Sequence, residues 1–143
     1  MTFVSFSVPG KPVAKGRPRI STRGGFARAY TPAKTQRYED LIRIAAAEAM
    51  DGRDPLDEAV TLTVIAFVAP PKSMPKKKRE LALMGSLKPT TRPDADNYAK
   101  AALDGCNAIL FRDDSCVADL IVKKRYAANP RLVITMETED EFA

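Results

Sequence analysis

The chain has 143 residues, 45% of them hydrophobic and 29% charged, with a formal net charge of +5; this fits one globular domain able to bury a core without staples. It contains no histidine, which excludes His-ligated zinc and histidine general bases, and its two cysteines, Cys106 and Cys116, cannot build a disulfide framework. The longest apolar run, Leu62 to Pro71 broken by Thr63, falls far short of the ~20 residues of a membrane helix.

The start of the chain shows no basic-then-apolar leader and reads directly into a strand, so a cytoplasmic protein with a single domain over 1–143 is expected. Val4, Phe6 and Val8 alternate with Ser5 and Ser7, which predicts a strand ended by Pro9-Gly10. The segment 9–31 has no stable period and reads as a long basic loop or loose hairpin, a length that is usually functional or disordered. Thr31 as N-cap and Pro32 at the first position predict a helix to about Met50. Its apolar stripe is Tyr38, Leu41, Ile42, Ala45, Ala46 and Ala49. A second strand follows over 59–68, stopped by Pro70-Pro71. Ser73 is positioned to cap a short helix through Leu83. Asp94 to Leu110 is the clearest helix. Cys116 to Arg125 and Leu132 to Thr138 read as strands joined by the turn Ala128-Asn129-Pro130, and 139–143 is an acidic tail expected to fray. Strands and helices do not alternate regularly. The expected class is therefore α+β, with a mixed or mostly antiparallel sheet and helices on one face. There is no Gly-rich phosphate loop.

Charge is distributed unevenly. Residues 1–38 hold eight Lys/Arg and no acid, while residues 94–143 hold six basic and ten acidic residues. A basic first quarter suits a polyanionic partner. Lys11, Lys15, Arg17, Arg19 and the run Lys76-Lys77-Lys78-Arg79 are the candidate contacts to the backbone of such a polyanion.

The densest chemistry is Asp94-Ala95-Asp96-Asn97-Tyr98-Ala99-Lys100. On a helical wheel Ala101, Ala102, Gly105 and Ile109 fall within about 60° of Tyr98, and Asp96, Lys100 and Asp104 fall on the other side. Two Asp one residue apart at a helix start can share one hard cation, and a further Asp would complete an oxygen site suited to Mg²⁺ or Mn²⁺. Asp113-Asp114, in the turn before the next strand, supplies that candidate if the strand packs back on the helix. Such an ion activates water and offsets charge on a scissile phosphate, and Lys100 can stabilise the same charge. Each residue also has a plainer role: Asp94 as helix cap, Asp96 as a residue favoured by the helix dipole, Lys100 and Asp104 as a surface pair, Asp113-Asp114 as turn formers.

The stretch R-P-D-A-D-N-Y-A-K-A-A-L-D-G-C-N followed by F-R-D-D-S-C-V-A-D-L resembles the RusA family of Holliday junction resolvases, whose pattern is D-x-D-N-x-x-K, a further Asp on the helix, then D-D before a strand. The opening V-P-G-K-P-V-A-K-G-R-P-R and A-Y-T-P resemble its phage and prophage branch. The likeness runs from about Phe3 to about Lys124. It implies a small homodimeric α/β fold that binds four-way DNA junctions in recombination and repair and nicks two strands symmetrically with Mg²⁺, for which Mn²⁺ can substitute. It places the catalytic and metal-binding acids on Asp94, Asp96 and Asp114 and the catalytic lysine on Lys100, with support from Asn97 and Asp104. The family's basic residue directly before the first acid is here Pro93, and the resemblance leaves Arg92, one place back, to substitute for it as a contact to the DNA backbone, beside the basic residues above. The competing reading is a non-catalytic DNA-binding module that keeps the basic loops and uses the acids as caps and turns. A D-x-D transferase wants a larger nucleotide-binding domain, and a D-x-D phosphatase wants Thr or Val where Tyr98 stands.

Overall fold

The computed structural model describes residues 1–16 and 19–138, the side chain of Arg19 excepted. Among the described residues six strands and three α-helices run in the order β1 (Phe3–Pro9), β2 (Arg19–Ser21), β3 (Arg28–Tyr30), α1 (Ala33–Met50), β4 (Val60–Val68), α2 (Lys76–Leu83), α3 (Ala95–Cys106), β5 (Val117–Tyr126) and β6 (Arg131–Glu137). The main sheet has the order β1-β6-β4-β5, and β2 and β3 form a separate two-stranded ribbon. β6 is antiparallel to both β1 and β4, whereas β4 and β5 are parallel. The sheet is thus mixed, and α1 and α3 pack together on it, as the α+β reading expects.

Period-two burial builds the sheet's inner face. Val60, Leu62, Val64 and Ala66 of β4, Leu132, Ile134 and Met136 of β6, and Val4 and Val8 of β1 are all buried. Each such aliphatic side chain contributes roughly 1.5–3 kcal/mol on burial. The helices close this core with Tyr38, Ile42, Ala46 and Met50 from α1 and Tyr98, Ala101, Ala102 and Cys106 from α3. The α1 residues lie four apart and form one narrow line, so Leu41 falls beside the contact and stays 50% exposed instead of joining the stripe. Close approach of the two helices depends on Gly105: a Cβ there would stand 2.6 Å from Ile42 Cγ2 and 2.7 Å from Ile42 Cβ.

Several boundaries differ from the pattern. The cap position of α1 is Pro32 rather than Thr31, and that of α2 is Pro75 rather than Ser73, neither with a side-chain cap bond. α3 ends at Cys106, four residues early, because Asn107 turns extended and Ala108 takes φ 65°. That turn drives Leu110 and Phe111 into the core at 0% exposure, where Leu110 and Arg112 bond the backbone of Leu56. β5 and β6 are not neighbours: β4 lies between them, so residues 127–130 bridge two strand spacings, about 10 Å. The basic segment 9–31 folds back as the β2–β3 ribbon around a 3-10 turn at Arg23–Gly25. Arg17 and the tail 139–143 lie outside the described residues. Among the described residues no helix is long and apolar enough to cross a membrane.

Candidate functional site

The head of α3 presents its acids to solvent. Asp94 occupies the N-cap position with extended backbone, and its side chain makes no capping bond. The turn is closed instead by the Asn97 N–H donating to the Asp94 carbonyl at 3.1 Å. Its carboxylate is therefore not consumed by the role a cap would give it. Asp96 sits in the first turn, where the helix dipole favours negative charge. Lys100 Nζ stands 3.6 Å from Asp96 Oδ2, and both side chains are at least 60% exposed. Tyr98, between them in sequence, points the opposite way and is buried, so the wheel's division into apolar and charged faces holds.

Two clefts flank this helix end. An open one of about 650 Å³ is lined by Lys15, Gly16, Arg92, Asp94 and Asn97. A smaller one of about 180 Å³ lies across Arg92-Pro93 and is lined by Lys11, Thr91, Tyr98, Lys124 and Tyr126. Lys124 Nζ donates to the Thr91 carbonyl at 2.7 Å, fastening the approach to α3 onto the last residues of β5. Lys11 and Arg92 are exposed at these clefts, as their assignment to a DNA backbone requires. Lys76, Lys77 and Lys78 are exposed on α2, but Arg79 is half-buried and donates to the Pro71 carbonyl at 2.8 Å. Arg17, and the side chain of Arg19, lie outside the described residues.

Lys15 has a different place from the one expected. Its Nζ lies 2.6 Å from Glu39 Oε1 on α1 and 3.0 Å from Asp104 Oδ2 on α3, with only 20% of the side chain exposed. Its N–H also donates to the Asn97 carbonyl at 2.9 Å. Burial pushes the ammonium's pKa down, but hydrogen bonds and negative charge from Glu39 and Asp104 outweigh that and leave it raised. Lys15 is a tether between the basic segment and both helices, not a free phosphate contact. The sequence signal was Glu39, a carboxylate one residue from the buried line of α1; a buried acid needs a cation.

Asp113 and Asp114 separate in role. Asp113 accepts the Ser115 N–H at 3.1 Å and caps the 3-10 turn Asp114–Cys116. Hydrogen bonds from Ser115 hold its carboxyl below the usual range. Asp114 is exposed.

The family model described as "Endodeoxyribonuclease RusA" matches residues 9–137. The chain is also 38% identical over 136 residues to "Uncharacterized protein YqaN" of Bacillus subtilis (strain 168), an alignment covering 94% of this chain and 95% of that protein. The chain belongs to the RusA endodeoxyribonuclease family.

The matched RusA span includes Asp94, Asp96, Lys100 and Asp114, yet one chain does not gather the acids. Asp114 directly precedes β5, whereas Thr91 to Asp94 lie by Lys124 and Tyr126 at that strand's other end. From Val117 to Lys124 the strand is about 23 Å long, far beyond what carboxylates on one ion, bound at roughly 2.0–2.6 Å, can span. Among the described residues no group of three Asp, Glu or Cys side chains stands close enough to hold a metal ion. The strand does pack on α3, but a short turn after a helix returns the chain to the helix's C-terminal end. The head of α3 is a whole helix length away, about 18 Å. Neither thiol adds a ligand there. Cys106 is buried in the core, and burial pushes its pKa to about 12.

Proposed function

We propose that this protein is a Mg²⁺-dependent, structure-specific endonuclease that resolves four-way DNA junctions by paired symmetric nicks, acting as a homodimer. The observation that carries the reading is the head of α3: two solvent-facing carboxylates, Asp94 and Asp96, with Lys100 beside them, between clefts edged by Lys11 and Arg92, in a RusA-family chain. The donor set is hard oxygen, suited to Mg²⁺ or Mn²⁺, but one chain offers two of its three expected carboxylates. A two-fold dimer supplies the missing one if Asp114 of the partner subunit reaches the head of α3. Dimerisation then completes each site and provides two of them, matching a junction that needs two related cuts. A bound divalent ion would activate water and offset charge on the scissile phosphate.

The chain's own groups have definite tasks. Asp94 and Asp96 need no rearrangement to face substrate, being exposed already. Lys100 is held near Asp96 and can place positive charge on a phosphate oxygen. Arg92, Lys11 and the exposed lysines of α2 bind backbone phosphates, so affinity falls steeply with salt.

The test is cleavage of an end-labelled synthetic four-way junction, with Mg²⁺ or chelator, beside a linear duplex built from the same arms. Paired nicks in the junction alone, lost with chelator and in Asp96→Asn, support the proposal. Junction binding without nicks under Mg²⁺ or Mn²⁺ would instead leave a DNA-binding module.

A further inference from the structure

The smaller cleft beside α3 suits a different group from the open one. Its walls include Val68, Pro71, Pro89 and Pro93, and a proline wall has no N–H to leave unmet. The Thr91 carbonyl at its edge is already satisfied by Lys124. Tyr98 lines the cleft while only 2% exposed, so it forms the floor. Burial alone raises the pKa of that phenol, with no hydrogen bond among the described residues to offset it. Its hydroxyl is therefore protonated and unspent. Tyr126 stands half-buried at one side, and the exposed Lys11 and Arg92 stand at the mouth.

At about 180 Å³ the cleft is smaller than the ~300 Å³ at which sites for whole small molecules begin. A phosphate buried in it would lack donors, since the cations are at the rim. What fits is one flat ring with a polar edge, attached to an anionic chain. We infer that this cleft receives a single unstacked nucleobase from the DNA strand bound at the head of α3. The ring lies against Tyr126 and the prolines, its polar edge meets the Tyr98 hydroxyl, and Lys11 and Arg92 hold the flanking phosphates.

The placement beside the acids gives the cleft its role. Arg92 and Pro93 line both clefts, and Asp94 follows Pro93 directly. One strand can lay a phosphate at Asp94 and turn the neighbouring base over Arg92-Pro93 into the slot. Taking a base out of a continuous duplex costs its stacking, and the cost is least where pairing or stacking is already broken. A branch point is such a place. The inference rests on the junction-cleaving reading above and gives that reading a source of selectivity that does not depend on charge.

The experiment is photocrosslinking. Asp96→Asn, which should bind without cutting, is mixed with four-way junctions carrying 5-iodouracil at one branch-point position at a time, irradiated, and mapped by mass spectrometry. One position should crosslink to Tyr126 or Tyr98, and a linear duplex of the same arms should not. Ala69→Trp fills the cleft from an exposed position just beyond the end of β4. It should lower that crosslink and, with Asp96 intact, junction cleavage by about tenfold or more. An abasic site at the crosslinking position should lower wild-type cleavage equally, and Ala69→Trp should then add nothing. If Ala69→Trp lowers Tm, the abasic junction with wild type decides. Crosslinks that fall elsewhere or survive Ala69→Trp overturn the inference, as does an abasic junction cut at the normal rate. Nicking without a Tyr126 or Tyr98 crosslink sinks the slot alone, whereas that crosslink in a chain that never nicks sinks the proposed function alone.

Discussion

Asp94 and Asp96 stand at one end of α3 with their carboxylates in solvent, while at the other end Gly105 and Cys106 are sealed against α1 with no room for a methyl group. One helix of twelve residues thus carries an exposed surface whose change costs the fold little and a buried surface that tolerates almost no change. The difference teaches where to look for chemistry. Charged groups that the structure leaves unspent are available to a substrate, and those it uses, such as Lys15 and Asp104, belong to the scaffold. The contrast can be broken by experiment.

The largest expected effect is on the head. Asp96→Asn should reduce junction cleavage by about 10²–10³-fold or more, with Tm and junction affinity nearly unchanged, as read by gel assay, thermal melt and binding titration. A large loss of Tm would mean that the head is structural after all. Gly105→Ala should do the reverse: its methyl group collides with Ile42, costing about 1–3 kcal/mol and lowering Tm by roughly 3–10 °C, while activity per folded molecule persists. Lys15→Met leaves the buried Glu39 without its cation and should cost about 1–3 kcal/mol in a urea melt.

The same tether has a pH signature. A lysine whose folded pKa is raised contributes its full stability below its unfolded value and loses it only as pH rises through the folded one. The stability advantage of wild type over Lys15→Met should therefore be flat from neutral pH to the ordinary lysine value of 10.5 and shrink above it. An advantage that vanished near neutrality would contradict the geometry. The smallest effect is on affinity. If Lys77 contacts a phosphate, Lys77→Ala should reduce the slope of log K against log salt by about 0.9, whereas Lys15→Met should leave that slope almost unchanged.

Much of the fold was legible because one-sided burial writes its period into the chain. Val60, Leu62 and Val64 announce β4, and Tyr98, Ala101, Ala102 and Gly105 announce the inward face of α3. What escaped was long-range. Nothing local to β5 and β6 says that β4 lies between them. Ile109 continues the helical period of α3, yet the helix ends at Cys106 and Leu110 reaches the core by a turn, because burial constrains where a side chain ends and not the route. Lys15 read as one more cation in a basic run, since its partners come from α1 and α3, 24 and 89 positions onward. The approach of Lys100 to Asp96 was legible from their spacing, but the distance between Asp114 and the head of α3 was not. Spacing along the chain fixes the local pair at the head of α3 and says little about a group beyond the helix's far end.

The anchoring of Gly16 has a consequence for how such a protein can diversify. Its N–H is held on Thr35 Oγ1 at 3.2 Å, beside the Lys15 tether, while the returning strand β3 runs into α1 at Ala33. The β2–β3 ribbon is therefore an excursion with both feet planted close together and its tip at Arg23–Gly25 far from them in sequence. Each doubling of such a loop costs only about 0.6 kcal/mol. Lengthening or trimming the tip would change how far the arm projects from the body while the head of α3 stays where it is, so the two regions are free to vary independently.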